Sequence, residues 1–479
     1  MRRLTYLIFT LFLIQSCQIE DDATPSADDA FIKYYGELTN YEAKDIELIS
    51  EGSEPTSLIV LGSRLRAAGD RDFYIQRTDL SGNVIDSISF GFNSIIDLDE
   101  DGLPDIDVDQ SGDTTEADII RGDDIPGKIT VTDNAILMIG TTSITVNLPG
   151  RSISDWKQLV FVAFPRDVDF NALDPDNVPI LPIAAVRDPQ DARSTELDLI
   201  GNDIIALQDG GLLLVGSKEF DRGSSTDFDS YFLKLQLRTD RSSIAFEDVL
   251  GVEGADEDEE VIRAFEKENG NIVLIGSGNT NSALGENQSN NGRNAFFIEV
   301  DPNGTPVNPI YYGVDNPDDD AVYNEFVTNA IEVPSGYIIV GTSETSQGES
   351  FGFAMSLNED GGDNSVARLP SSEFTDLETR INGVTQSRDN GLVLVGQYPS
   401  FVSGEEVKSG EALFMKVDES LNPLLGNEAN FGLTAGNDAF VDAVTLPDGS
   451  IVVVGNFEFG TSTKLISIIK LNDTGNLED

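Results

Sequence analysis

Short runs of four or five apolar residues, each closing on a glycine, recur along the chain. They are Ser57-Leu-Ile-Val-Leu-Gly62, Ala135-Ile-Leu-Met-Ile-Gly140, Gly211-Leu-Leu-Leu-Val-Gly216, Asn271-Ile-Val-Leu-Ile-Gly276, Gly336-Tyr-Ile-Ile-Val-Gly341, Gly391-Leu-Val-Leu-Val-Gly396 and Ser450-Ile-Val-Val-Val-Gly455. An unbroken apolar run of this length, bounded by turn residues, reads as a strand buried on both faces. Several copies follow Asp-Gly, Asn-Gly or Ser-Gly, the residues that tight hairpin turns require.

Each copy has companions. A second strand follows it, as in Tyr231-Phe-Leu-Lys-Leu, Phe296-Phe-Ile-Glu-Val and Leu413-Phe-Met-Lys-Val, and runs into turns such as Asp301-Pro-Asn-Gly304 or Asn472-Asp-Thr-Gly475. A third ends in an aromatic-glycine pair (Phe90-Gly91, Tyr312-Gly313, Phe431-Gly432), and a fourth precedes each glycine strand, as in Val327–Val333 or Phe440–Leu446. Four antiparallel strands repeated seven times predict an all-β, seven-bladed β-propeller over residues 31–476; a solenoid fits this strand content and period less well. The last repeat lacks its aromatic-glycine strand, and the missing copy stands at the other end of the chain. Phe31-Ile-Lys-Tyr-Tyr-Gly36 parallels Pro309-Ile-Tyr-Tyr-Gly313, so the N-terminal strand is expected to close the ring and remove its open edges. The repeats resemble the Asp-Gly-rich propeller repeats of bacterial surface proteins and are distantly Kelch-like. They depart from Kelch proper in lacking its Gly-Gly pair with spaced Tyr and Trp.

The first thirty residues follow another pattern. Arg2 and Arg3 precede an apolar run from Leu4 to Ile14, too short for a membrane span and of the length of a signal-peptide core. The segment ends at Ser16-Cys17, and Cys17 is the only cysteine of the 479 residues. This resembles a bacterial lipobox, which implies cleavage after residue 16 and lipidation of Cys17; an ordinary secretory signal is the alternative. Residues 17–30 are polar and acidic, a composition that cannot bury a core and serves as a flexible tether. The tract resembles the acidic tether of Bacteroidota surface lipoproteins. The resemblance implies an outer-membrane location facing the cell exterior.

Composition narrows the chemistry. Thirty basic residues against 85 acidic ones give a formal net charge of -55, which excludes the basic footprint that nucleic acid binding requires. There is no histidine, so Ser-His-Asp and Cys-His nucleophile systems and imidazole metal sites are excluded. The most specific local motif is acidic. Asp97, Asp99, Asp101 and Asp105 stand at loop positions 1, 3, 5 and 9 around Gly102, and Asp107, Asp109, Ser111 and Asp118 repeat the pattern at 1, 3, 5 and 12. Hard oxygen ligands at this spacing on a bending loop suit Ca2+. The two loops resemble thrombospondin-type or EF-hand calcium loops, so a structural calcium site is expected in an insertion spanning residues 97–124; a solvated acidic hairpin is the alternative. Further acids gather before the inner strands, at Asp256–Glu260, Asp318–Asp320, Asp123-Asp124 and Asp438, with Arg263 and Lys267 as cations among them. In a propeller these acids would collect near one mouth of the central channel.

Two functional classes remain. The first is a non-catalytic binding or scaffold lipoprotein that presents one propeller face to a protein or glycan partner. The second is a secreted carbohydrate-active hydrolase or lyase that uses Asp or Glu.

Overall fold

A computed structural model describes residues 30–36, 40–52, 54–67, 69–94, 120–148, 151–183, 198–221, 226–237, 242–250, 258–279, 292–312, 323–345, 350–362, 365–369, 379–402, 405–432, 436–459 and 463–477. These residues form seven antiparallel sheets arranged as the blades of a propeller, six of four strands and one of five. The innermost strands, in blade order, are Tyr41–Glu51, Ile120–Val131, Leu199–Ala206, Glu259–Glu266, Tyr323–Val333, Arg380–Gln386 and Ala439–Thr445. Each packs against the next, and the seventh packs against the first.

The expected closure is present. Phe31–Tyr35 is the outer strand of blade seven, pairing antiparallel with Thr463–Leu471 from Phe31↔Lys470 to Tyr35↔Ile466. Blade two departs from the common pattern. Its outer strand is only Leu181–Ile183, and Asn93–Ser94 adds a fifth strand at its inner edge. Between its last two strands, two 3-10 turns (Phe170–Ala172 and Pro175–Asn177) carry Phe170 into the core, 5.3 Å from the Phe164 ring.

The glycine strands are the second strands of the blades, and their apolar residues are fully buried, as at Leu58–Leu61, Leu213–Val215 and Val452–Val454. They pack into seven apolar clusters, each drawing residues from two adjacent blades. The core is therefore a set of wedges between blades, which is why the runs are apolar on both faces.

The closing glycines have a single cause. Every inner strand carries a β-bulge at the same place, for example between Ala43 and Asp45 or between Phe440 and Asp442. The bulge pushes an inner-strand carbonyl toward the closing glycine. A Cβ at Gly140 would stand 2.7 Å from the Ile125 oxygen, and one at Gly455 2.6 Å from the Ala439 oxygen. Only glycine admits so close a backbone approach.

Strand alternation gives the ring two unlike rims. Inner strands end, and third strands run out, at a rim of tight turns capped by Asp or Asn side chains. Asp301, for instance, accepts from the Asn303 and Thr305 N–H groups, and Asp418 from Ser420 and Asn422. At the opposite rim the outer strand of one blade ends and the inner strand of the next begins.

Candidate functional site

The bulges build the channel. The residue after each bulge, taken round the ring, is Asp45, Lys128, Asp203, Arg263, Asn329, Gly383 and Asp442. Seven equivalent positions thus form one layer in which acid and base alternate over the first four blades.

The layer is cross-linked. Lys128 Nζ lies 2.6 Å from Asp45 Oδ1, 3.3 Å from Glu47 and 3.8 Å from Asp442. Arg263 Nε donates to Asn329 Oδ1 at 2.8 Å, and its Nη1 stands 3.6 Å from Asp203. Asn329 Nδ2 donates to Asp442 Oδ1 at 3.2 Å. Backbone N–H groups complete the set. Asp45 accepts from Ile129, Asp203 from Ala264 and Ile204, and Asp442 from Ala443.

These surroundings push the carboxyl groups apart. Burial alone would raise Asp45, but Lys128, a hydrogen bond from Asp442 and Arg263 hold it below the usual carboxylate range. Burial, helped by the Asp45 charge and only partly offset by Lys128, drives Asp442 well above that range. Burial also raises Asp203 and Glu47 despite their cationic neighbours. Asp45 is thus the more readily ionised member of the pair, and Asp442, hydrogen-bonded to it, the one that holds its proton more tightly.

Above this layer, toward the rim where the inner strands begin, lies a cavity of about 440 Å³ lined by residues from all seven blades, including Lys44, Asn202, Glu260, Arg263, Thr328, Asn382 and Val441. The bulge residues latch neighbouring blades. Asn202 Nδ2 donates to the Val261 carbonyl, Thr328 Oγ1 to Ile381 and Asn382 Nδ2 to Phe440, each in the next blade. Lys44, also a bulge residue, is exposed to the channel while walled in on every side. That enclosure and the Arg263 guanidinium lower its ammonium below the usual lysine range.

The acids expected at a channel mouth are mostly turned elsewhere. Asp123 and Asp258 accept N–H bonds from Arg71 and Phe228 of the preceding blade. Asn40, Asp198, Asn324 and Asn437 do the same at their own strand starts. These Asx residues are inter-blade staples. The next residue in blades two, four and seven (Asp124, Glu259, Asp438) is buried. Of the acids singled out from the sequence and described here, only Glu260 lines the cavity. Residues 256, 257 and 318–320 lie outside the described residues. Arg263 and Lys267 both make ion pairs, the latter with Glu299 at 3.2 Å and Asp360 at 3.6 Å at the tight-turn rim.

The lipidation residue Cys17 and the calcium ligands Asp97, Asp99, Asp101, Asp105, Asp107, Asp109, Ser111 and Asp118 also lie outside the described residues. At the base of that insertion, Arg66 pairs with Asp70 at 2.8 Å and Asp72 at 3.0 Å. Asp124 is fully buried there and accepts from the Phe92 N–H. Burial pushes its carboxyl up to about 8 against the Thr142 and Phe92 hydrogen bonds, with the nearby Asp72 charge adding to the rise.

No protein-family model and no curated protein sequence matches this chain. Among solved structures it is similar to a PL25 ulvan polysaccharide lyase at 10% identity and a TM-score of 0.42, over 72% of this chain and 80% of that one. It is similar to a protein of unknown function from Dyadobacter fermentans at 14% identity and 0.40, over 74% and 95%. A sialidase from Streptococcus pneumoniae aligns at 11% identity and 0.38, over 94% and 70%. At these identities and scores the likeness assigns no activity to this chain.

Proposed function

We propose that this chain is a non-catalytic binding or scaffold lipoprotein at the outer-membrane surface, held by a lipid on Cys17 and presenting the rim opposite its tight turns to a protein or glycan partner. The observation that carries this reading is the polarity of the ring. Phe31–Tyr35 runs from the tight-turn rim toward the opposite one as the outer strand of blade seven. A tether from Cys17 to residue 30 would therefore reach the ring at its tight-turn rim. That opposite rim and the mouth of the cavity then face away from the bilayer, where a partner can approach. Commitment of the channel carboxylates to Lys128, Arg263, Asn329 and backbone N–H groups further supports a scaffold over a reaction centre. Gentle affinity purification of the lipidated chain from its native outer membrane, followed by mass spectrometry, tests this. A stoichiometric partner is the expected result, and turnover of a polysaccharide panel by the purified protein would sink it.

One observation favours the second reading, a carbohydrate-active enzyme. Asp45 and Asp442 are adjacent carboxyls pushed to opposite sides of their usual range beside a polar cavity, as acid–base pairs are. In that case turnover would be found and Asp442→Asn would abolish it.

A further inference from the structure

We propose that the cavity at the channel mouth binds a small hydroxylated carboxylate, such as a sugar acid or hydroxy acid, with its carboxylate docked on Lys44 and Arg263. The inference deepens the binding reading above and rests on it for an open approach to this rim.

Most polar groups of the cavity wall are already engaged. Its acids are spent: Asp45 on Lys128 and the Ile129 N–H, Glu260 on Asn202 at 3.1 Å and Arg293 at 3.4 Å. The amide N–H groups of Asn202 and Asn382 are spent on carbonyls of the next blade, which leaves their side-chain oxygens as neutral acceptors. Lys128 is spent on three carboxyls.

Two cations of the cavity wall keep capacity for an anion. Among the described residues Lys44 makes no ion pair and no hydrogen bond, although it lines the cavity. Arg263 uses Nε on Asn329 and Nη1 in its ion pair with Asp203 at 3.6 Å, which leaves Nη2 without a partner among the described residues. In a chain with 85 acids and 30 basic residues, an enclosed ammonium that no acid has claimed stands out. The surrounding ring displaces part of the water that would otherwise solvate it, and an incoming anion would restore that interaction.

Shape and charge narrow the ligand. A volume of about 440 Å³ falls in the usual range of small-molecule sites. The planar guanidinium fork matches a carboxylate, and the point charge of Lys44 adds to it. Asn oxygens at the same mouth call for hydroxyl donors on the ligand. Asp45 and Glu260 on the same wall disfavour a second negative charge on the ligand.

Isothermal titration of the mature chain with D-glucuronate, D-glucose and inorganic phosphate tests this. Saturable one-to-one binding of glucuronate is expected, with none for glucose. Lys44→Gln, at a position exposed to the channel, should keep the wild-type melting temperature and lose at least about tenfold in affinity, the scale of one charge-assisted contact. Absence of glucuronate binding, equal binding of glucose, binding of phosphate alone, or unchanged affinity in Lys44→Gln would each overturn the assignment. Partner capture from the membrane is read separately, so either reading can fail while the other stands.

Discussion

Asp124 sits where a carboxylate is hardest to keep charged: fully buried, near a second acid, and held by a single backbone N–H and a threonine hydroxyl. Its folded-state value of about 8 lies far above that of the unfolded chain. The native state therefore keeps a proton that the unfolded state gives up, and stability falls as pH rises from about 4 to about 8. Asp124→Asn removes that penalty. Its melting temperature relative to wild type should rise steadily between pH 5 and pH 8 and then level off; a difference independent of pH would contradict the assignment. None of this was legible from the Asp123-Asp124 pair, because two neighbouring acids on one strand point to opposite faces, one to a staple and one into the core. The channel layer was closer to legible. Asp203 precedes Gly216 by the same step as Arg263 precedes Gly276 and Asp442 precedes Gly455, but the bulge that gives this step its meaning leaves no residue signature of its own.

At the scale of elements, the apolar runs declared themselves because burial on both faces leaves no polar alternation to blur them. The N-terminal strand was legible because its aromatic-glycine ending repeats that of another blade. Deleting Phe31–Tyr35 should bare the Thr463–Leu471 edge and lose the burial of Phe31, at a cost of about 2 kcal/mol or more plus five residues of pairing. Calorimetry should show a lowered transition and light scattering should show association through the open edge; an unchanged transition would mean that the closure is ornamental. Blade two was the least legible. Its Phe170 turn replaces most of an outer strand with a plug, a substitution that the repeat pattern cannot announce. The insertion before it is the proposed calcium segment. Chelation with EGTA is expected to lower the melting temperature, and the Asp107→Asn, Asp109→Asn double variant to erase that response. A variant that still responds fully would move the ion elsewhere.

For the molecule as a whole, a net charge of -55 coexists with a channel lysine, Lys44, that makes no ion pair among the described residues. Among the described residues, Asp301 and Asp418 cap tight turns and Asp123, Asp198 and Asp258 staple neighbouring blades, each by accepting backbone N–H bonds, so these acids serve to hold the ring together. The closing strand has a mechanical consequence as well. An anchor on Cys17 would transmit any pull on the protein to residue 30, and from there to the five residue pairs between Phe31 and Tyr35 and their partners. The seam that closes the ring would also be the seam under load. Tension from the membrane would strain the closure of blade seven before it reached any other blade.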